Sequence, residues 1–217
     1  MLAVCLLVVA KAPVPGLAKT RLAASIGAAA AADIAAAALL DTLDAVAATP
    51  VTARVVAFTG DLDDAARAAE IRQRLTSFAV IDQRGDDFAE RLAYAHADAS
   101  VAADGVPVLQ IGMDTPQVTP ALLASCGGRL LDGDPVLGMA GDGGWWVLGV
   151  PSPATAQCLR QVPMSQSDTG ARTLAALRAT GAQVRLLPEL DDVDTWADVE
   201  VVRAMCAPTS RFAAVGA

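Results

Sequence analysis

The sequence predicts an α/β fold, a single domain with a mainly parallel mixed sheet flanked by helices. Short β-branched or leucine-rich runs alternate with longer alanine-rich runs, which is the pattern of layered α/β domains. We see no internal repeat or linker, and 217 residues are enough to bury one full core. We therefore expect one domain over residues 1–206 and a frayed tail over residues 207–217.

The alternation indicates seven strands, with helices in most of the gaps between them. Residues 22–48 are so rich in alanine that we expect one helix there, ended by Pro50. Thr119 and Pro120 predict another helix start, because a capping side chain precedes a proline at the first helical position. The strands are expected near residues 2–10, 53–59, 77–81, 106–112, 135–140, 145–150 and 183–187.

Composition excludes several classes of protein. A net charge of −8 and a pI near 4.5 disfavour nucleic-acid and anionic-membrane partners, which need a basic surface. Four widely spaced cysteines and a single histidine, His96, spell neither a zinc site nor a disulfide framework. The apolar run 1–10 is too short to span a bilayer. We expect a cytoplasmic protein, and a homodimer is compatible with the sequence.

The segment "VVAKAPVPGLAKTRLA", residues 8–23, has the strand, loop and helix order of a phosphate-binding loop. Its sequence does not match the Walker motif. Both lysines of the chain, Lys11 and Lys19, lie in this loop, although the chain has 16 basic residues. They are either leftover surface lysines or the point charges with which a protein meets phosphate.

Three acidic stretches carry two interpretations each. Asp114, directly after an apolar run, either forms a turn with local amides or holds Mg²⁺. Asp142-Gly143-Gly144 is either a hairpin-like turn or a place where a substrate approaches the backbone closely. Asp194 lies on the same side of an extended segment as Asp192. Either Asp194 or Thr195 caps a helix, with Asp198 completing a capping box, and Asp194 is also a candidate metal ligand, a role that is compatible with capping.

Five motifs follow one another in the chain: KAPxPGxxKTRL at 11–22, QxGxDFAER at 83–91, GMDTP at 112–116, DGGWWVLG at 142–149 and DVDT at 192–195. This series resembles a family of bacterial glycosyltransferase-A-type transferases, some of them found beside radical-SAM or selenium-related proteins. It is also similar to 2-phospholactate guanylyltransferases. The resemblance runs from residue 2 to about residue 203.

The resemblance implies a nucleotide-diphospho-sugar transferase fold with a Rossmann-like sheet, a nucleotide substrate and Mg²⁺ or Mn²⁺. It implies catalytic roles for Lys19, Arg21 and Asp114, and metal binding by Asp114 and Asp194. The nucleotide-binding residues it implies are Lys11, Pro13, Gly16, Lys19, Thr20, Arg21, Gln83 and Asp87. Those beside the acceptor are Asp142, Gly143, Gly144 and Trp145.

These expectations lead to one preferred function and two alternatives. We expect a nucleotidyltransferase that moves an NMP group from an NTP to a small phosphate- or phosphonate-bearing acceptor and releases pyrophosphate. A Mg²⁺- or Mn²⁺-dependent glycosyltransferase that uses a nucleotide sugar is the first alternative. A regulatory nucleotide-binding module without turnover is the second.

Overall fold

The computed structural model describes residues 1–215, which form one seven-stranded mixed sheet covered by helices on both faces. The strand order is β3-β2-β1-β4-β6-β5-β7, and only β6 runs antiparallel to its neighbours. The predicted fold class is confirmed. The strands are β1 (Leu2–Lys11), β2 (Val51–Thr59), β3 (Ala79–Asp82), β4 (Val108–Gly112), β5 (Val136–Ala140), β6 (Trp145–Val150) and β7 (Arg185–Leu190).

The helices fall where the alanine-rich runs predict them, with one correction. The single helix expected over residues 22–48 is wrong, because Gly27 interrupts it. Gly27 has φ 86°, a left-handed conformation that glycine adopts freely, so one helix ends and the next begins there. The helices are α1 (Thr20–Ile26), α2 (Ala28–Ala48), α3 (Ala68–Leu75), α4 (Phe88–Ala102), α5 (Pro120–Leu130), α6 (Thr169–Ala179), α7 (Trp196–Met205) and α8 (Arg211–Ala214), with a 3₁₀ helix at Thr155–Gln161.

Two apolar cores lie on opposite faces of the sheet. Helices α2, α3 and α5 pack on one face, and α4, α6 and the 3₁₀ helix pack on the other. Side chains of β1 alternate between them, Leu6 and Val8 toward the first core and Leu7 and Val9 toward the second. A strand buried on both faces must be apolar at nearly every position, which explains the unbroken apolar run at the start of the chain.

The sheet brings the predicted site residues to one edge. Strands β1, β2 and β4 are parallel neighbours, so their carboxyl ends meet. Lys11 ends β1, the loop 12–19 leads from it into α1, and Asp114 lies two residues beyond β4. This is the edge at which open α/β sheets bind ligands.

The end of the chain is ordered against α2, so the frayed tail expected over 207–217 is wrong as far as residue 215. Phe212 is fully buried beside Leu22 and Ile34. The Asp41 carboxylate of α2 accepts hydrogen bonds from the backbone amides of Arg211 at 3.1 Å and Phe212 at 2.8 Å. The local sequence of the tail gave no sign of these partners, which lie some 170 residues away. Residues 216 and 217 lie outside the described residues.

Over residues 1–215, the structure contains no helix with the length and apolarity needed to cross a membrane.

Phe212→Ala tests this docking of α8. We expect the free energy of unfolding to fall by about 3–5 kcal/mol, because a buried aromatic side chain is lost. For a chain of this size, Tm then falls by roughly 6–20 °C in a thermal melt. Val101→Ala, at a position that is 82% exposed, is the control and should change stability little. An unchanged Tm in Phe212→Ala would contradict the docked helix.

Candidate active site

A cavity of about 770 Å³ opens at the carboxyl edge of β1, β2 and β4. Ten of the residues singled out from the sequence line it: Lys11, Lys19, Thr20, Arg21, Gln83, Asp114, Asp142, Gly144, Trp145 and Asp194. Four others do not: Pro13, Gly16, Asp87 and Gly143. Further lining residues absent from the predicted set include Arg91, Gln110, Asp192 and the loop 164–167.

Two side chains that line the cavity, Lys19 and Asp114, form an ion pair. The Lys19 ammonium is 2.7 Å from Asp114 Oδ2, and the Lys19 side chain is only 10% exposed. Burial alone would lower the pKa of Lys19, but the carboxylates of Asp114, Asp192 and Asp194 outweigh it, and the pKa is raised. Lys19 therefore keeps its charge inside the protein.

The backbone of Lys19 takes an uncommon conformation at this point. Lys19 is the residue before α1 and has φ 48°, in the left-handed region that side chains other than glycine rarely adopt. Such a conformation costs about 1 kcal/mol or more and is often found at functional sites.

Asp114 does not form the local turn that was one of its two interpretations. Its Oδ2 binds Lys19, while its Oδ1 is buried and has no hydrogen-bond partner among residues 1–215. Its backbone carbonyl instead accepts a hydrogen bond from the Val193 amide at 3.2 Å, which ties the segment after β7 to the end of β4. One carboxylate oxygen of Asp114 is thus buried with its hydrogen-bonding capacity unsatisfied.

The segment after β7 contributes two further carboxylates. Thr195 caps α7 and forms a capping box with Asp198, so Asp194 is not the cap. Asp194 Oδ2 instead accepts from the Arg21 guanidinium at 2.6 Å. The pKa of Asp192 is raised to about 6, first by burial and then by the negative charge of Asp142, with a smaller contribution from Asp114. Asp192 therefore carries negative charge that its neighbours do not fully balance.

These carboxylates fit a divalent cation that takes only part of its ligands from the protein. No three His, Cys, Asp or Glu side chains among the described residues converge closely enough to hold a metal by themselves. Yet Asp114 has an orphaned oxygen, and the charge of Asp192 is poorly compensated. Mg²⁺ typically binds through one or two carboxylates together with substrate phosphates.

The turn at residues 142–144 joins β5 to β6, as its hairpin-like interpretation predicts. Asp142 Oδ1 accepts from the Gly144 amide at 2.7 Å. Gly143 has φ 87°, and a side chain there would overlap the carbonyl oxygen of Ser167. Gly143 is thus required for packing against the loop 164–167, and Asp142 and Gly144 face the cavity.

The tryptophan pair is divided between core and cavity. Trp146 is buried, and its indole N–H donates to the Pro188 carbonyl at 2.9 Å. Trp145 is half-buried and lines the cavity. This follows from the opposite orientation of neighbouring side chains on a strand.

The motif at 83–91 shapes the other side of the cavity. The Gln83 amide donates to the carbonyls of Ala10 at 2.8 Å and Ala57 at 2.9 Å, which fixes the ends of β1 and β2. Asp87 accepts from the Glu90 amide at 2.8 Å and caps α4, outside the cavity. Arg91 lines the cavity, although the sequence prediction passed over it within this motif.

The loop 12–18 supports the site, although most of its residues do not line the cavity. Gly16 has φ 81° and allows the turn in which the amides of Leu17 and Ala18 donate to the Val14 carbonyl. Lys11 Nζ donates to the Leu17 carbonyl at 3.1 Å, and Pro13 is buried. Pro13 and Gly16 therefore shape the loop that lies between Lys11 and Lys19.

A protein-family model described as "Uncharacterized protein conserved in bacteria (DUF2064)" matches residues 42–166, more than half of the chain. The chain belongs to this family. Comparison with curated proteins finds no match.

Several solved structures share the fold. A protein from Desulfovibrio desulfuricans G20, described as a candidate nucleotide-diphospho-sugar transferase, is 25% identical, with a TM-score of 0.84 over 99% of this chain and 94% of that one. Rv0371c of Mycobacterium tuberculosis H37Rv in complex with manganese is 20% identical, with a TM-score of 0.55 over 92% and 97%. CMP:2-keto-3-deoxy-manno-octonic acid synthetase in complex with CTP is 14% identical, with a TM-score of 0.56 over 94% and 98%. The nucleotide-diphospho-sugar transferase fold is thereby confirmed.

Asp192→Asn tests the unbalanced charge in the cavity. Because the folded-state pKa is raised to about 6, the protonated carboxyl contributes stability that is fully present below the ordinary aspartate pKa of 3.8 and is lost as pH rises through about 6. The asparagine stays neutral at every pH. We expect it to raise the free energy of unfolding by about 1–2 kcal/mol at pH 7.5, after allowance for solvent screening, and little at pH 3.5.

Urea unfolding at the two pH values, with EDTA present, measures the effect of Asp192→Asn. Glu200→Gln, at an exposed position of α7, is the control and should change stability little at either pH. An equal effect of Asp192→Asn at pH 3.5 and pH 7.5 would contradict the raised pKa.

Proposed function

We propose that this protein is a nucleotidyltransferase that moves an NMP group from an NTP to a small phosphate- or phosphonate-bearing acceptor and releases pyrophosphate. The fold supports a transferase that binds a nucleotide. The similarity to 2-phospholactate guanylyltransferases stays a prediction from the motifs, as does the identity of the acceptor.

One observation carries the proposal: carboxylates from two distant segments surround one buried lysine. Asp114 comes from the end of β4, and Asp192 and Asp194 come from the segment after β7. The end of β4 reads Gly112-Met113-Asp114, without the Asp-x-Asp with which many glycosyltransferases hold a metal at a diphosphate. A triphosphate carries its charge over a longer path than a diphosphate does. Acidic residues that come from two separate segments suit this longer path.

The residues of the chain then take the following roles. Lys11, Lys19 and Arg21 bind the phosphates of the nucleotide, as charge-assisted hydrogen bonds to phosphate are strong. Asp114 and Asp194 are the metal ligands predicted from the motifs, and we propose Asp192 as a further candidate, because Asp194 is already paired with Arg21. When bound, Mg²⁺ or Mn²⁺ neutralises charge that develops on the phosphates.

Catalysis in this proposal comes from positioning and charge. Transfer of this kind needs no covalent bond between the protein and the substrate. The main requirement is therefore that the protein holds the acceptor in line with the α-phosphorus. Asp142, Gly144 and Trp145 form the wall at which we place the acceptor. The lysines and arginine at the loop hold the departing pyrophosphate.

Glycosyl transfer from a nucleotide sugar is the second candidate. The similarity to the Desulfovibrio protein, described as a candidate nucleotide-diphospho-sugar transferase, favours it. Product analysis separates the two: nucleotidyl transfer releases pyrophosphate, and glycosyl transfer releases a nucleoside mono- or diphosphate. A regulatory module would release neither, although it would bind nucleotide.

A screen of NTPs and nucleotide sugars with Mg²⁺, by thermal shift and then by product analysis, tests the proposal. A nucleotide present at 100 times its Kd stabilises a protein by about 2.7 kcal/mol. Tighter binding of an NTP than of any nucleotide sugar, followed by pyrophosphate release with a phosphonate acceptor, is the expected result. Tight binding of a nucleotide sugar and release of nucleoside diphosphate would replace the proposal by its alternative.

Asp114→Asn should abolish the Mg²⁺ dependence of NTP binding and lower turnover about 10²-fold or more, the scale of a lost electrostatic stabiliser. Calorimetric titration of Mg–NTP and a pyrophosphate assay measure both effects. Asp98→Asn is the control, because it removes a carboxylate of α4 that is paired with Arg84. Full Mg²⁺-dependent turnover in Asp114→Asn would remove Asp114 from the site.

Arg21→Gln should weaken Mg–NTP binding about 10-fold or more, because one hydrogen bond between charged groups is lost. The Arg21 side chain is 75% exposed, so the fold should be unaffected and Tm unchanged. Arg172→Gln, at an exposed ion pair of α6, is the matched control. Equal nucleotide affinity in the two variants would exclude Arg21 from phosphate binding.

A further inference from the structure

A third apolar cluster lies apart from the two cores of the sheet and is built from helices and one connecting segment. Helices α1, α2, α7 and α8 and the segment after β7 contribute side chains to it. Its fully buried members include Leu22, Val193, Val199, Val202 and Phe212. The C-terminal helix α8 therefore shares one apolar interior with the start of α1 and with the segment after β7.

Two members of this third cluster are chain neighbours of residues that line the cavity. Leu22 directly follows Arg21, and Val193 lies between Asp192 and Asp194. The two segments meet at the cavity, where the Arg21 guanidinium is 2.6 Å from Asp194 Oδ2. Because adjacent Cα atoms are only about 3.8 Å apart, a shift of Leu22 or Val193 also moves the cavity residues beside it.

The backbone of Val193 also connects the third cluster to the Lys19–Asp114 ion pair. The Val193 amide donates to the Asp114 carbonyl at 3.2 Å, while the Val193 side chain is fully buried in the cluster. A displacement of Val193 would therefore disturb Asp114 as well as the two aspartates that flank Val193 in the chain. All three carboxylates are thus attached to one buried residue.

Phe212 of α8 is the bulkiest of the buried side chains in the third cluster. An aromatic side chain buries about 150–250 Å² when it packs in this way. Where such a side chain is removed, the surrounding residues relax into part of the space and leave a cavity in the rest. Leu22 and Val193 belong to these surroundings, so the packing of Phe212 restricts the positions of both.

Helix α8 has only four residues and is held by polar contacts from two other helices. Asp41 of α2 accepts from its first two amides, and Arg203 of α7 donates to the Val215 carbonyl. The Arg211 guanidinium pairs with Asp44 at 2.6 Å, and these side chains are 31% and 36% exposed. Exposed ion pairs contribute little, and chain termini open at lower free energy than a core. Docking of α8 is therefore a local equilibrium, which a ligand shifts if it binds the docked state more tightly.

We propose that Phe212 is a positioning residue of the candidate active site. Docked α8 fixes Leu22 and Val193 through the third cluster. These two residues in turn hold Arg21 and Asp194 in the geometry that binds the nucleotide and the metal. The inference rests on the proposed function, because it uses the roles proposed there for the cavity residues. By linkage, the factor by which docking of α8 strengthens Mg–NTP binding is also the factor by which Mg–NTP strengthens docking.

Hydrogen exchange of the wild-type protein tests this linkage without any substitution. The probe is the NTP that binds most tightly in the screen, at saturating concentration with Mg²⁺. We expect it to slow exchange of the Arg211 and Phe212 amides, which bond to Asp41, about 5-fold or more, the lower end of typical coupling between sites. Helix α5 is the control segment, because it does not line the cavity. The slowing in α8 must exceed that in α5, since a ligand slows exchange through global unfolding everywhere.

Phe212→Ala should weaken Mg–NTP binding by a similar factor, measured by calorimetry at a temperature at which thermal melts show the variant to be folded. Phe212→Leu keeps most of the apolar volume and should retain most of the wild-type affinity. Leu130→Ala is the matched control, because Leu130 is equally buried and packs near Gly149, which pairs with the start of β4 at the opposite end of the sheet from the cavity. It should lower Tm and leave Mg–NTP affinity unchanged.

The inference is overturned if Mg–NTP binds but slows exchange in α8 no more than in α5. It is also overturned if folded Phe212→Ala keeps the wild-type affinity, or if Leu130→Ala loses as much affinity as Phe212→Ala. If Phe212→Ala does not fold, the exchange measurement on the wild-type protein decides.

Failure of the proposed function has a different signature, because no NTP then binds with Mg²⁺. Mn²⁺ alone becomes the probe in that case, since the carboxylates attached to Val193 are the candidate metal ligands. Weaker Mn²⁺ binding in Phe212→Ala than in the wild-type protein and Leu130→Ala supports the positioning role. Equal Mn²⁺ binding in the three proteins, or none in any of them, overturns it.

Discussion

The ion pair between Lys19 and Asp114 is the interaction on which the site depends. It joins the start of α1 to the end of β4, and the carbonyl of Asp114 in turn holds the segment after β7. The Lys19 side chain is only 10% exposed, so removal of Asp114 would leave a buried charge without its partner, a change that costs about 3–5 kcal/mol in other proteins. Three segments far apart in sequence therefore meet at one pair of side chains.

The same pair links binding of the two proposed ligands. In the proposed complex, a metal ion would compete with the Lys19 ammonium for the Asp114 carboxylate. A phosphate would compete with Asp114 for the ammonium. Nucleotide and metal together satisfy both partners, whereas either alone must compete with an existing ion pair. In an acidic protein with a net charge of −8, both lysines of the chain lie at the place where we propose that an anion binds.

The alternation of apolar and alanine-rich runs was enough to predict all seven strands and the fold class. It failed at Gly27 and at the tail. One glycine in an alanine-rich run does not by itself predict a helix break, and the burial of Phe212 depends on Asp41 and Leu22, which the local sequence does not reveal. Local composition predicts an element, but it does not predict the partner against which that element packs.

For the site, the sequence by itself determined the candidates: the two lysines confined to one loop, Asp114 at a strand end and Asp194 in the DVDT motif. Residue type and position relative to a strand are properties of the chain alone. Only the tertiary structure decided that Asp194 is paired with Arg21, that Thr195 rather than Asp194 caps α7, and that Arg91 lines the cavity with no acidic partner. The physical reason is that pairing depends on distance in space, which the sheet sets by bringing strand ends together.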